Sequence, residues 1–192
     1  MTGIIILAAG SSSRLGRPKQ NLIYKGKTLL QRAIETASAS ICEPAIVVLG
    51  ANIEAIGPTI EGLPIDIVKN PDWQEGIASS IRLGIHELRK IEPKADSIIL
   101  MLCDQPFADA SLLNQLVQKK LTKGMVACAY NNTVGPPVLF DAAYFDELLL
   151  LKGQEGAKKI LLRYPDYVVS VPFAQGSIDI DTIEDFEKIG PF

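Results

Sequence analysis

The sequence contains little histidine and cysteine, two residue types that often serve in catalysis or bind transition metals. Its 192 residues include a single histidine and three cysteines. The histidine, His86, lies in a charged amphipathic segment, so we expect no Ser-His-Asp or Cys-His arrangement and no histidine-rich metal site. Cys42, Cys103 and Cys128 are odd in number and lack CxxC spacing. They argue against a disulfide framework or a thiolate zinc site and indicate a reducing, cytoplasmic compartment.

The chain also lacks an excess of positive charge and any long hydrophobic run. Nineteen Lys and Arg residues against 22 Asp and Glu residues give a formal net charge of −3. Without a basic field to attract polyanions, we expect no nucleic-acid partner, and any anion site must be local. We expect no membrane partner, because no apolar stretch approaches the roughly 20 residues that span a bilayer.

Apolar strands and amphipathic helices alternate along the chain, of which 47% is hydrophobic. We expect one domain covering residues 1–192. This βα order predicts a single-domain, three-layer α/β/α fold with a mostly parallel, Rossmann-like central sheet. The predicted strands are Ile4–Ala9, Ala45–Leu49, Ile65–Lys69, Ser97–Leu102, Met125–Tyr130 and Tyr167–Val171. The predicted helices are Thr28–Ser40, Asn52–Ile60, Ile77–Ile91, Ser111–Leu121, Ala142–Leu151, Glu155–Arg163 and Thr182–Ile189.

Sheets of this kind bind ligands beyond the carboxyl ends of their strands. The loop Gly10–Lys19, GSSSRLGRPK, follows the first strand and combines small residues with Arg14, Arg17 and Lys19. Small residues let backbone N–H groups approach phosphate oxygens, while the basic side chains offset phosphate charge. The loop has neither the Walker A nor the GxGxxG spacing, so it supports neither a P-loop NTPase nor a dinucleotide oxidoreductase. The turn-rich segment Asn131–Pro137 predicts a second site loop.

Residues 7–19, LAAGSSSRLGRPK, resemble the signature LAAGxSxRxGxxK of the MobA-like nucleotidyltransferases, whose loop wraps the triphosphate of a bound nucleotide. The resemblance implies a fold of the nucleotide-diphospho-sugar transferase type. The AAG at residues 8–10 is similar to the molybdenum cofactor cytidylyltransferase branch. Catalytic roles are implied for Arg14 and Lys19, which would offset charge on the β and γ phosphates. The nucleotide-binding residues implied here are Leu7, Ala8, Ala9, Gly10, Ser11, Ser12, Arg14 and Lys19.

A second segment, residues 70–84 (NPDWQEGIASSIRLG), joins a turn-forming Asn-Pro to a serine-rich helix start. Its serines could be ordinary helix caps and Trp73 a core residue, or these groups could bind a base edge beside a tryptophan wall. The segment resembles the NPxWxxGxxxS element in the nucleotide pocket of the cytidylyltransferase branch. That resemblance implies nucleotide-binding roles for Asn70, Gly76, Ser79 and Ser80.

One acidic motif closes a predicted strand, and another precedes the last predicted helix. Asp104, in LCDQP, is a typical position for a turn or cap, but Asp109 can cap the following helix and leaves Asp104 without that role. Asp179 and Asp181 alternate in an extended segment and project to one side, which suits either a solvated acidic pair or a hard cation. The motifs resemble the family's CDQP and DIDTPED elements. The resemblance implies that Asp104 and Asp181 bind Mg2+, with Asp179 as a lesser candidate.

Two further segments resemble acceptor-side elements of the family. Residues 135–140 (GPPVLF) and 153–158 (GQEGAK) are similar to GxPxLF and GDxGAR, with Gln154 in place of aspartate and Lys158 in place of arginine. Without the resemblance, their prolines and glycines indicate simple turns.

The resemblance extends from Leu7 to Asp185 and implies transfer of CMP from CTP to the phosphate of molybdenum cofactor. Mg2+ would be the cofactor and pyrophosphate the second product. CTP and molybdenum cofactor would then be the substrates, and a molybdenum hydroxylase or its maturation factor a further partner. Two alternatives stay open: a nucleotidyltransferase acting on a sugar phosphate or an erythritol phosphate, and a nucleotide-binding regulator without catalysis.

Overall fold

The computed structural model describes residues 1–13 and 15–190, which form a sheet covered by helices and a small separate hairpin. The strands are β1 (Thr2–Ala8), β2 (Ile23–Tyr24), β3 (Lys27–Thr28), β4 (Ala45–Leu49), β5 (Asp66–Lys69), β6 (Ser97–Leu102), β7 (Met125–Tyr130), β8 (Thr133–Asp141) and β9 (Val168–Pro172). The helices are α1 (Leu29–Ser38), α2 (Ile53–Ile60), α3 (Ile77–Ile91), α4 (Ala110–Gln118), α5 (Phe145–Leu149), α6 (Lys158–Arg163) and α7 (Ile183–Lys188). Every predicted helix and strand is present, with ends within three residues of the prediction.

The central sheet has seven strands in the order β5-β4-β1-β6-β8-β7-β9. Pairs β1/β4, β1/β6, β4/β5 and β7/β9 are parallel, whereas β8 runs antiparallel to both of its neighbours. The predicted mostly parallel sheet is therefore confirmed, with one reversed strand in its interior.

Helices cover both faces of this sheet, because β1 is apolar at consecutive positions and sends alternate side chains to opposite sides. Ile4 and Ile6 pack with α1, α2 and α4 in one buried cluster. Ile5 and Leu7 pack with α3, α5 and α6 in the other. The predicted α/β/α layering is confirmed. No helix among the described residues is long and apolar enough to cross a membrane.

The prediction of a site loop over Asn131–Pro137 is wrong. Asn131 and Asn132 have positive φ angles of 47° and 57° and form the two-residue turn of a hairpin, in which Tyr130 of β7 faces Thr133 of β8. Two-residue hairpin turns favour asparagine, because both turn residues take left-handed backbone conformations.

Prolines concealed the strand β8 from the sequence analysis. The β7/β8 register pairs Ala127 with Val138 and Cys128 with Gly135, so Pro136 and Pro137 fall in an irregularity of the ladder. Proline has no N–H to donate and normally argues against an interior strand. Because Pro136 and Pro137 lie at the irregularity, the regular pairing of β8 with β7 does not depend on them.

A third buried cluster joins distant segments beside the carboxyl edge of the sheet. It contains Leu15, Leu22 and Tyr24, together with Ile180 and Phe186. The cluster fixes the loop after β1 against the start of α7. The segment that carries Asp179 and Asp181 is thereby held next to that loop.

Candidate active site

A cleft of about 370 Å³ opens where β1 and β6 end side by side. Leu7 pairs with Leu102 in the parallel register, so the chain segments that follow both strands emerge at one edge. The sequence-predicted residues that line the cleft are Leu7, Ala8, Ala9, Gly10, Ser11, Lys19, Gly76, Ser80 and Asp104. Trp73 and Gln154 also line it. Residues from four separate segments thus meet in one concave site.

Gln20 organises the loop after β1, and the sequence analysis missed it. Its side chain is fully buried and donates to the carbonyl oxygens of Ala8 (2.8 Å) and Gly10 (3.1 Å). Ser12 accepts a hydrogen bond from the backbone N–H of Lys19 at 3.0 Å and donates to Gln20 at 3.3 Å. These bonds tie the two ends of the loop together. Arg14, predicted to be catalytic, lies outside the described residues.

Lys19 is held between two carboxylates. Its Nζ donates to Asp104 Oδ2 and, at 3.1 Å, to Asp181 Oδ1. The Lys19 and Asp104 side chains are only 18% and 10% exposed, whereas Asp181 is 38% exposed. Burial by itself lowers the pKa of Lys19, but the attraction of Asp104 outweighs it and raises the pKa above its ordinary value. Lys19 is therefore protonated and positively charged at neutral pH.

The carboxylates carry more negative charge than Lys19 neutralises. Partial desolvation, with the nearby charges of Asp104 and Asp181, raises the pKa of Asp179 to about 6. Asp104 Oδ1 is buried without a hydrogen-bond partner among the described residues. A buried carboxylate oxygen without a partner is costly, and a cation would remove that cost. The site is therefore suited to an additional positive charge.

These residues fit Mg2+ held together with a nucleotide better than Mg2+ in an all-protein site. The described residues contain no group of three or more His, Cys, Asp or Glu side chains placed to hold a metal ion. Mg2+ commonly takes one or two protein carboxylates and completes its octahedron with substrate phosphates and water. Asp104 and Asp181 could supply such a pair.

Asn70 lies behind the cleft wall and fixes the start of α3. It is 2% exposed, and its side-chain amide donates to Ser79 Oγ at 2.8 Å and to Ser80 Oγ at 2.9 Å. Ser79 in turn donates to the carbonyl of Gly76 at 2.8 Å. Asn70 and Ser79 thus position Ser80 and Gly76, which line the cleft. Trp73 lines the cleft and also packs against the core.

Gly76 lets the start of α3 touch the segment that carries Gln154. Its φ of 126° is a conformation that glycine adopts readily, and a Cβ there would lie 2.3 Å from the carbonyl oxygen of Gly153. The same carbonyl accepts from Ala78 N at 3.1 Å, while Gly153 N donates to Glu75 at 3.1 Å. Gln154 is thereby held at the cleft.

An apolar pocket adjoins the cleft on the α3 side. It shares Leu7, Ile77 and Leu102 with the cleft, and Gly135, Pro136 and Lys158 also line it. The structure therefore brings residues 135–140 (GPPVLF) and 153–158 (GQEGAK) together. Residues 135–140 lie in strand β8 and not in a simple turn.

Open α/β proteins bind nucleotides beyond the carboxyl ends of their parallel strands, which is where the cleft residues of this chain meet. The chain belongs to this class of open α/β proteins. It belongs to the MobA-like NTP transferase domain family, whose model matches residues 4–168, and it is a nucleotidyltransferase of that family.

Relatives cover nearly the whole chain. It is 30% identical to nicotine blue oxidoreductase from Paenarthrobacter nicotinovorans, over 98% of this chain and 96% of that protein. It is 25% identical to molybdenum cofactor cytidylyltransferase from Escherichia coli K12, over 95% and 92% of the two chains. The crystal structure of Rv0371c from Mycobacterium tuberculosis H37Rv is similar with a TM-score of 0.84, at 29% identity over 98% and 96%. A manganese complex of Rv0371c gives a TM-score of 0.77, at 26% identity over 98% and 96%. The two curated relatives are consistent with the cytidylyltransferase branch.

Proposed function

We propose that the protein transfers CMP from CTP to the phosphate of molybdenum cofactor and releases pyrophosphate. The observation that carries this proposal is the meeting of the loop after β1, Lys19 and two carboxylates: the loop, Lys19 and Asp104 line the cleft, and Asp181 pairs with Lys19. The loop and Lys19 suit a triphosphate, while Asp104 and Asp181 suit the Mg2+ that accompanies it.

The reaction needs no general base from the protein. A phosphate oxygen of the acceptor is already ionised near neutral pH, so it can attack the α-phosphorus while pyrophosphate departs in line. Catalysis then depends on positioning and on neutralising charge. Lys19 and the loop backbone hold the β and γ phosphates in this scheme, and bound Mg2+ would neutralise further phosphate charge. The only histidine, His86, lies on the exposed side of α3 and has no part in it.

Cytidine and molybdenum cofactor are the finer part of the proposal. They are supported by the AAG sequence after β1 and by the E. coli relative named molybdenum cofactor cytidylyltransferase. Gln154 lines the cleft and Lys158 lines the adjoining pocket, which supports a role for both in acceptor binding. A molybdenum hydroxylase or its maturation factor would receive the product, and the three free cysteines suit the reducing cytoplasm.

Pyrophosphate release tests the reaction, the base and the acceptor together. The purified protein is given ATP, CTP, GTP or UTP with Mg2+, each with and without molybdenum cofactor. We expect release only when CTP and molybdenum cofactor are both present, with a pterin cytosine dinucleotide found by chromatography. Parallel reactions offer methylerythritol phosphate and glucose 1-phosphate as acceptors. A CDP-alcohol or a nucleotide sugar without the pterin product would contradict the proposed acceptor, and the absence of pyrophosphate from every mixture would favour a regulator.

A further inference from the structure

Lys19 occupies the point at which the two carboxylates of the site converge. Its Nζ donates to one oxygen of Asp104 and one oxygen of Asp181, and its side chain is largely buried. A cation held by both carboxylates would need the same place. The lysine and a metal ion therefore compete for one position.

Lys19 also has space to leave that position. Lys19 lines both the main cleft and a second cavity of about 140 Å³. Gly10, Ser12 and Ser13 of the loop line this second cavity, together with Asp181. A lysine side chain is a flexible four-carbon stem, so its ammonium group can turn from the carboxylates toward the loop.

We infer that Lys19 is a resident counter-ion that keeps free divalent metal out of the site, so that the ligand taken up is the metal–nucleotide complex. This inference rests on the proposed function. Without nucleotide, a metal ion that displaced Lys19 would leave a largely buried ammonium group without its pairing with both carboxylates, which is unfavourable. With nucleotide, the phosphate oxygens replace the lost carboxylate partners. Metal and triphosphate therefore bind together, and Lys19 moves from the carboxylates to the phosphates.

Binding of Mn2+, followed by its electron paramagnetic resonance signal, tests the inference without any turnover. The full chain is titrated alone and with the non-hydrolysable analogue α,β-methylene-CTP. Lys19→Met removes the charge, Lys19→Gln is a second neutral variant, and Lys19→Arg keeps the charge. Lys27→Met is the matched control, because Lys27 pairs with Glu35 on the exposed surface. Thermal denaturation identifies which variants are folded.

We expect the wild type, Lys19→Arg and Lys27→Met to bind Mn2+ weakly unless the analogue is present. The neutral Lys19 variants should bind free Mn2+ at least about tenfold more tightly, because a unit charge at contact distance contributes more than that factor even in a polar protein site. Equal Mn2+ affinity in the wild type and the neutral variants would overturn the inference alone, provided that the wild type binds Mn2+ with the analogue. If the wild type binds no Mn2+ even with the analogue, the proposed metal site and the inference both fail.

Discussion

Asp104→Asn is expected to leave the fold intact and to lower turnover by about 100-fold or more. Asparagine keeps the shape of the side chain but removes the charge that pairs with Lys19 and that we assign to Mg2+. Losing one group that stabilises transition-state charge typically costs about 2.7–4 kcal/mol, which corresponds to about 10²–10³ in rate.

The same substitution should also destabilise the protein, because either orientation of the new amide leaves an unfavourable contact. With its N–H₂ group toward Lys19, two donors face each other; with its oxygen toward Lys19, the N–H₂ group enters the buried position of the unpaired Oδ1. A lost charge-assisted bond or an unsatisfied buried group costs about 1–3 kcal/mol. For a chain of this size, the melting temperature should fall by about 2–12 °C.

Two measurements check this prediction. Pyrophosphate release is recorded against Mg2+ concentration, and unfolding is followed by circular dichroism. Asp109→Asn is the matched control: Asp109 caps α4 by accepting from Leu112 N at 2.8 Å, and asparagine caps helices about as well. That variant should keep its turnover and most of its stability. Near wild-type turnover of Asp104→Asn at limiting Mg2+ would refute the assignment of Asp104 as a metal ligand.

Three further predictions concern the nucleotide, the backbone and pH. Lys19→Ala should weaken CTP binding by about 1.5–3 kcal/mol and CMP binding much less, because CMP lacks the outer phosphates; equal losses in calorimetry would place Lys19 elsewhere. Gly76→Ala should lower the free energy of unfolding, measured by chemical denaturation, by about 1–3 kcal/mol or more, because alanine disfavours the positive φ and its Cβ would clash with the Gly153 carbonyl. The control Gly57→Ala, whose Cβ would meet nothing within 4 Å, should be neutral or stabilising. Because the folded state raises the pKa of Asp179 from 3.8 to about 6, wild-type stability should gain from protonation at low pH and lose that gain as pH rises from about 4 to 6. Asp179→Asn should lack this loss, and parallel stability–pH profiles of the two proteins would contradict the shift.

Local sequence patterns were sufficient to predict the layers of the fold and the position of the loop after β1. Continuous apolar strands such as Ala45–Leu49 and Ser97–Leu102 are local patterns, and the structure has them at those bounds. Asp109 as the cap of α4 was also predicted, because capping depends on residues within one helical turn. Such features need no knowledge of distant contacts.

The assembly of the site depends instead on contacts between segments that are far apart in sequence. Lys19 lies 85 residues from Asp104 and 162 residues from Asp181 in sequence, so no local pattern could place the lysine between the two carboxylates. Gln20 looks like an ordinary polar residue until the fold buries it against the carbonyls of the loop. The reversed strand β8 was hidden by its prolines, which become acceptable only through the register shift with β7. In each case the deciding contact joins segments that the chain brings together only when the sheet has formed.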